Sequence, residues 1–140
     1  MHKISNFADM EESFGRKEKL KSKILISRLF EEGKFMKKFP LRLVYLPLER
    51  EDLRQHQAAV SVPKRNFKRA VDRTHLKRLM REAYRKNKYL VHTNGQCFAF
   101  LFIYVGKQKD GYHEIFEVME ELLKRFSSSE LNSEQGDRVL

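Results

Sequence analysis

The sequence predicts a layered α/β domain with its elements in the order α-β-β-α-β-α. Three observations carry this reading. Residues 97–105 (CFAFLFIYV) are almost continuously apolar, as a central strand covered on both faces would be. Three segments, 19–32, 70–88 and 112–126, repeat apolar residues at helical spacing. Two further runs, 39–48 and 58–62, are short and rich in β-favouring residues. Helices interleaved with strands in a chain of 140 residues make one layered domain.

Each element has its own grounds. In the first helix Leu20, Ile24, Leu25, Ile26, Leu29 and Phe30 recur at helical spacing, and Gly33 supplies a C-cap. Phe39–Leu48 alternates through Leu41, Leu43, Val44 and Tyr45 and reads as a strand, and the charged stretch 49–57 as a connecting loop or hairpin. Ala58–Val62 is a short strand stopped by Pro63, which has no N–H to give the ladder. The last helix places Ile115, Phe116, Met119, Leu122, Leu123 and Phe126 on one stripe, with Glu114, Glu117, Glu120 and Glu121 outside it. Residues 1–15 and the Ser-rich segment 127–140 are expected to be disordered, which leaves residues 16–126 as the domain.

Composition excludes several classes. The single cysteine, Cys97, forbids an internal disulfide or a cysteine zinc cage, and its place at the head of an apolar strand suits a small core residue. No stretch approaches the roughly 20 apolar residues of a membrane span, and the N-terminus lacks the features of a secretory signal. A cytoplasmic location is expected.

Charge is the most informative property. The formal net charge is +10, from 29 Lys and Arg against 19 Asp and Glu. Between Lys64 and Lys88 there are 11 basic residues and only two acids, Asp72 and Glu82, whereas residues 110–140 carry 3 basic and 8 acidic groups. A smaller basic cluster comprises Arg16, Lys17, Lys19, Lys21 and Lys23. The domain therefore has one charged face rather than a uniform shell.

At about 100° per residue, Leu76, Leu79, Met80 and Ala83 share one stripe of the 70–88 helix, and Arg73, Lys77, Arg78, Arg81, Arg85 and Lys88 occupy the opposite side. Like charges at i,i+4 repel by a few tenths of a kcal/mol per pair, and cations in the first turn oppose the macrodipole. Local stability does not select this arrangement, but a polyanionic partner does. Scarcity of acids argues against a merely solvated face. The small aliphatic stripe, without Trp or Phe wedges, argues against a helix lying on a membrane. Arginine suits bidentate phosphate contacts, so nucleic acid is the expected partner.

Catalytic motifs are scarce. Gly106–Gly111 has Walker-like glycine spacing, but Tyr112-His113 follows where Lys-Ser/Thr is needed. His2, His56, His75, His92 and His113 are dispersed, with no pair at metal-ligand spacing. A two-metal nuclease needs convergent carboxylates, yet the basic half offers only Asp72 and Glu82. Asp72 is expected to pair with a neighbouring arginine, and Glu82 with Lys86 at i+4.

The run from Val60 to Arg85 (VSVPKRNFKRAVDRTHLKRLMREAYR) resembles the signature of the bacterial ribonuclease P protein subunit. That signature is a strand ending Ser-Val-x-Lys-Lys/Arg, then a helix with Arg-Asn-Arg-x-Lys-Arg-x-x-Arg-Glu. The resemblance extends to Leu20-Lys21-Ser22-Lys23 through Phe30 and Gly33, to Val44-Tyr45 and to the apolar strand near 98–105, covering roughly residues 14–126. Arg73-Thr74-His75 stands where the family has Arg-Asn-Arg. Thr74 can still hydrogen-bond a phosphate, whereas His75 is largely neutral at pH 7.

The resemblance implies a two-layer α/β (α+β) sandwich of the ribosomal protein S5 domain 2 type. It also implies a left-handed β-α-β crossover, where the general rule gives a right-handed one. It implies a protein cofactor of a catalytic RNA, in which the RNA and its Mg²⁺ release the 5′ leader of precursor tRNA. The chain itself would then supply no catalytic residue and bind no metal or cofactor. Its partners would be the catalytic RNA and precursor tRNA, with neither a membrane nor a protein partner. By the family pattern Lys64, Arg65, Asn66, Lys68, Arg69, Arg73, Thr74, Lys77, Arg78, Arg81 and Arg85 would contact the RNA subunit. Arg16, Lys17, Lys21, Ile26, Phe30, Leu43 and Tyr45 would contact the leader, the last four lining a cleft between the first helix and a sheet face. Those four also fit a plain core role, and Tyr45 could stack on a base. The alternative function is a ribosomal or assembly-type RNA-binding protein with no part in cleavage, and an autonomous nuclease is a third, disfavoured by the missing carboxylates.

Overall fold

In the computed structural model, residues 20, 23–49, 55–93 and 95–139 are described, with side chains through 130. The first helix, α1 (Lys23–Glu32), leads directly into strand β1 (Lys34–Lys38). Strand β2 (Leu41–Pro47), strand β3 (Gln57–Ser61), helix α2 (Ala70–Asn87), strand β4 (Phe98–Tyr104) and helix α3 (Tyr112–Val139) follow, with a 3-10 turn at Lys88–Leu90 after α2.

Gly33 ends α1 as the sequence predicts, because space is short. Its N–H donates to the Leu29 carbonyl at 3.0 Å. A Cβ there would collide with that same carbonyl oxygen and come within 2.8 Å of Val44 Cγ1. The chain can thus turn at once into β1, a strand the sequence reading passes over. Four of its five residues are exposed, so no buried alternation announces it. The observed order is therefore α-β-β-β-α-β-α.

The sheet order is β1-β2-β4-β3. Strands β1 and β2 form an antiparallel hairpin, β2 is antiparallel to β4, and β3 is parallel to β4 across the α2 crossover. Strand β4 lies inside the sheet and is buried at six of seven positions, which accounts for its unbroken apolar sequence.

The main core is a two-layer sandwich. Leu41, Leu43, Tyr45, Phe98, Phe100, Phe102 and Tyr104 of the sheet pack against Leu76, Met80, Ala83 and Tyr84 of α2 and the predicted stripe of α3. Phe126 meets Phe98 and Phe100 edge-on, each at 5.0 Å between ring centres. Edge-to-face geometry of this kind adds to the gain from burial. On the opposite sheet face a smaller cluster joins Val44, Leu46, Ala99 and Leu101 to Leu29 of α1 and to Leu20, whose N–H donates to the Ala58 carbonyl at 2.9 Å.

The segment after residue 126, expected as a tail, begins within a helix. Helix α3 continues to Val139, and Ser127 is buried against the body. The Ser127 hydroxyl accepts from the His92 N–H at 3.0 Å and donates to the Leu90 carbonyl at 2.8 Å. Polar composition suggested a tail. A small hydroxyl satisfying two backbone groups is equally at home inside.

Candidate nucleic-acid interface

Helix α2 sits on the sheet as its periodicity predicts. Leu76, Met80 and Ala83 are fully buried, and Leu79 packs partly against the same cluster. Tyr84 joins them, its ring 5.5 Å from that of Phe102. Burial of this stripe leaves the opposite side outward. Thr74, His75 and Arg78 are exposed, and Arg73, Lys77, Arg81 and Arg85 are half-buried.

The segment before α2 is a turn rather than helix, with Lys64, Arg65, Lys68 and Arg69 exposed and Asn66 half-buried. Phe67 anchors it, buried edge-on against Tyr104 at 5.7 Å. Arg73 holds the turn in place. Its Nη1 donates to the carbonyls of Phe67 at 2.8 Å and Lys68 at 2.9 Å. The first arginine of the motif is therefore a structural staple, with that nitrogen already committed.

Arg85 is engaged as well. Its Nε donates to Glu82 Oε2 at 3.1 Å, and its Nη2 donates to the other carboxylate oxygen. This hydrogen bond is the first cause holding the Glu82 carboxyl below its ordinary range, with the Lys86 charge adding to it. Beyond the expected Lys86, Glu82 therefore has a direct partner in Arg85 at i+3, whose guanidinium fork grips both oxygens. The expected arginine partner of Asp72 is corrected to a lysine. Lys109, from the loop after β4, reaches Asp72 Oδ1 at 3.1 Å. Sequence separation hid this partner. Both acids of the basic half are therefore neutralised by cations.

A groove lies between α1 and the sheet, about 100 Å³ in volume, lined by Leu29, Phe30, Gly33, Phe35, Arg42, Val44 and Ile103. Phe30 is 64% exposed and Phe35 62% exposed. The Arg42 guanidinium lies over the Phe35 ring, 4.4 Å from its centre. Among the expected leader residues, Phe30 lines this groove, and Ile26 packs partly buried against the small cluster beside it.

Leu43 and Tyr45 do not line it. Leu43 pairs with Phe102 and Tyr45 with Phe100, which places both on the α2–α3 face. Tyr45 stands edge-on to Phe126 at 4.8 Å, and burial is the main cause raising its pKa, with Glu130 nearby adding to it. The correction has a simple origin. Side chains alternate along a strand, so the groove takes Arg42 and Val44, one residue out of step. Because Leu43, Val44, Tyr45 and Leu46 are all buried, hydrophobicity alone cannot say which parity faces which layer. Phe35, Arg42 and Ile103 were missed for the same reason and because β1 was missed. Arg16, Lys17 and Lys21 lie outside the described residues.

No helix among the described residues is long and apolar enough to cross a membrane. A family model described as Ribonuclease P matches residues 14–127. The ribonuclease P protein component of Porphyromonas gingivalis W83 is 34% identical over 108 residues, spanning 74% of this chain and 79% of that protein. That of Chlorobium phaeobacteroides is 32% identical over 126 residues, spanning 81% and 84%. Among solved structures, the RNase P protein of Thermotoga maritima superposes with a TM-score of 0.62 at 23% identity, over 77% of this chain and 96% of that one. The Staphylococcus aureus RNase P protein gives 0.63 at 18% identity, over 76% and 93%. The two structures bear on the fold, and the sequence relatives on the family. With the signature of α2 seated on a sheet of this topology, the chain belongs to the ribonuclease P protein component family and is a protein subunit of ribonuclease P.

Proposed function

We propose that this subunit holds the ribonuclease P RNA with the outward face of α2 and the turn before it. The groove between α1 and the sheet receives the single-stranded 5′ leader of precursor tRNA. Catalysis belongs to the RNA and its Mg²⁺ in the cytoplasm. The observation that carries this reading is the division of α2: Leu76, Met80 and Ala83 buried, Arg78 exposed, with Lys77 and Arg81 half-buried on the outward side.

Two polyanions must approach one another, and cationic side chains lower the cost by releasing counterions from phosphates. In the groove, the exposed rings of Phe30 and Phe35 offer faces on which unpaired bases stack, and Arg42 brings a charge for the backbone. Asp72 and Glu82, each paired with a cation, are poorly placed to act as acid, base or metal ligand.

The test is to incubate a 5′-extended precursor tRNA at low Mg²⁺ with the protein, with the RNA subunit, and with both. Cleavage to the mature 5′ end only with both is the expected outcome. Reversing charge at Lys77, Arg78 and Arg81 should weaken RNA-subunit binding and flatten its dependence on salt. Cleavage by the protein alone would overturn the assignment of catalysis to the RNA.

A further inference from the structure

A second cavity lies at the far end of α2, away from the groove. Its volume is about 360 Å³, and it is lined by His56, Val91, His92, Thr93, Gly95, Gln96 and Cys97. That falls within the range of roughly 300–1,000 Å³ typical of small-molecule sites. Its wall begins at Val91, directly after the 3-10 turn Lys88–Leu90 that prolongs the cationic helix. Tyr89 on that turn is 70% exposed.

The wall is fastened before any ligand arrives. Ser127 ties the backbone of Leu90 and His92, and the Thr93 hydroxyl donates to the Gln96 carbonyl. Gln96 Nε2 donates to the carbonyls of Leu48 at 2.6 Å and Cys97 at 3.0 Å, so its amide oxygen is the group it can offer. His56 Nδ1 accepts the Phe98 N–H at 3.0 Å, so the neutral imidazole carries its proton on Nε2 and is a donor there. Burial keeps the ring neutral, lowering its pKa to about 4.

Among the described residues, the lining therefore offers hydrogen-bond donors and acceptors and no Lys or Arg. That polarity suits a neutral planar heterocycle better than a bare phosphate. We infer that this cavity takes the base of one unpaired RNA nucleotide, just beyond the end of the cationic helix. The inference rests on the proposed RNA contact of α2 and extends it beyond the phosphate-binding stripe. The nucleotide comes either from the RNA subunit or from precursor tRNA, and the two sources are separable.

The test replaces His92, whose backbone rather than side chain holds the wall, by His92→Trp to fill the mouth. Affinity is measured in two arms, protein with RNA subunit and assembled holoenzyme with precursor tRNA. A loss of roughly tenfold or more in one arm, with an unchanged salt slope and melting temperature, is expected. The arm that loses affinity names the source. The second measurement needs no variant: nucleoside 5′-monophosphates at millimolar concentration should shift the His56 and His92 ring resonances of the native protein. Unchanged affinity in both arms, or no shift with any of the four nucleotides, overturns the inference. The Lys77, Arg78 and Arg81 reversal serves as control. If it weakens RNA binding while His92→Trp does not, the cavity assignment alone falls. If it too is without effect, the proposed α2 contact falls with it.

Discussion

Arg73 Nη1 donates to the backbone carbonyl of Phe67 at 2.8 Å, so the first arginine of the RNA-binding signature also secures the turn that precedes its own helix. Charge and architecture meet in one side chain. Helix α2 has no side-chain cap at Arg69, and Arg73 reaches back over that same junction.

Arg73→Lys keeps the charge but loses the planar fork. It should lower stability by about 1 kcal/mol, read as a shift in the denaturation midpoint. Arg78→Lys, at an exposed position, should leave the midpoint unchanged. Equal midpoints for the two variants would remove the staple.

Leu43 and Phe35 separate the two sheet faces by experiment. Leu43→Ala empties a fully buried site and should cost about 2–5 kcal/mol in stability. Phe35→Ala, on an exposed ring, should leave stability nearly intact and weaken binding of a single-stranded leader roughly tenfold. Leader binding that follows Leu43 rather than Phe35 would restore the sequence-based lining.

Glu82→Gln should retain cleavage in the reconstituted holoenzyme, since its carboxylate serves Arg85 rather than the reaction. With Arg85 no longer neutralised, RNA-subunit affinity should fall more steeply with salt, by about one further unit of slope. Lost cleavage with intact RNA binding would revive a catalytic role for this acid.

His56 gives the fold an acid-side limit. Its folded pKa of about 4 lies below the ordinary value of roughly 6.5. The unfolded chain therefore takes up a proton that the native chain refuses. The resulting stability is fully present above pH ~6.5 and is lost as pH falls toward about 4, by up to about 3 kcal/mol. Urea midpoints of the native protein and of His56→Gln at pH 7.5 and pH 5 should converge at the lower pH. Parallel profiles would exclude His56 as the source.

Much of this protein follows from its sequence alone. The cationic stripe of α2, its boundaries near Ala70 and Lys88 and the stripe of α3 arise from local periodicity, and the doubly covered strand at 98–104 from an unbroken apolar run. The signature through Arg81-Glu82 likewise carried the family. What the tertiary structure decided concerns partners and faces. Periodicity places Leu43 and Val44 on opposite sides of β2, but only the register against β4 says which side meets α1. Periodicity cannot find β1, because an edge strand in water needs no apolar face. Nor can it pair Lys109 with Asp72 or bury Ser127 beneath Leu90 and His92, since those contacts span 37 and 35 residues of chain. Local patterns report what a segment needs to bury or expose. Which neighbour meets that need is a property of the packed chain.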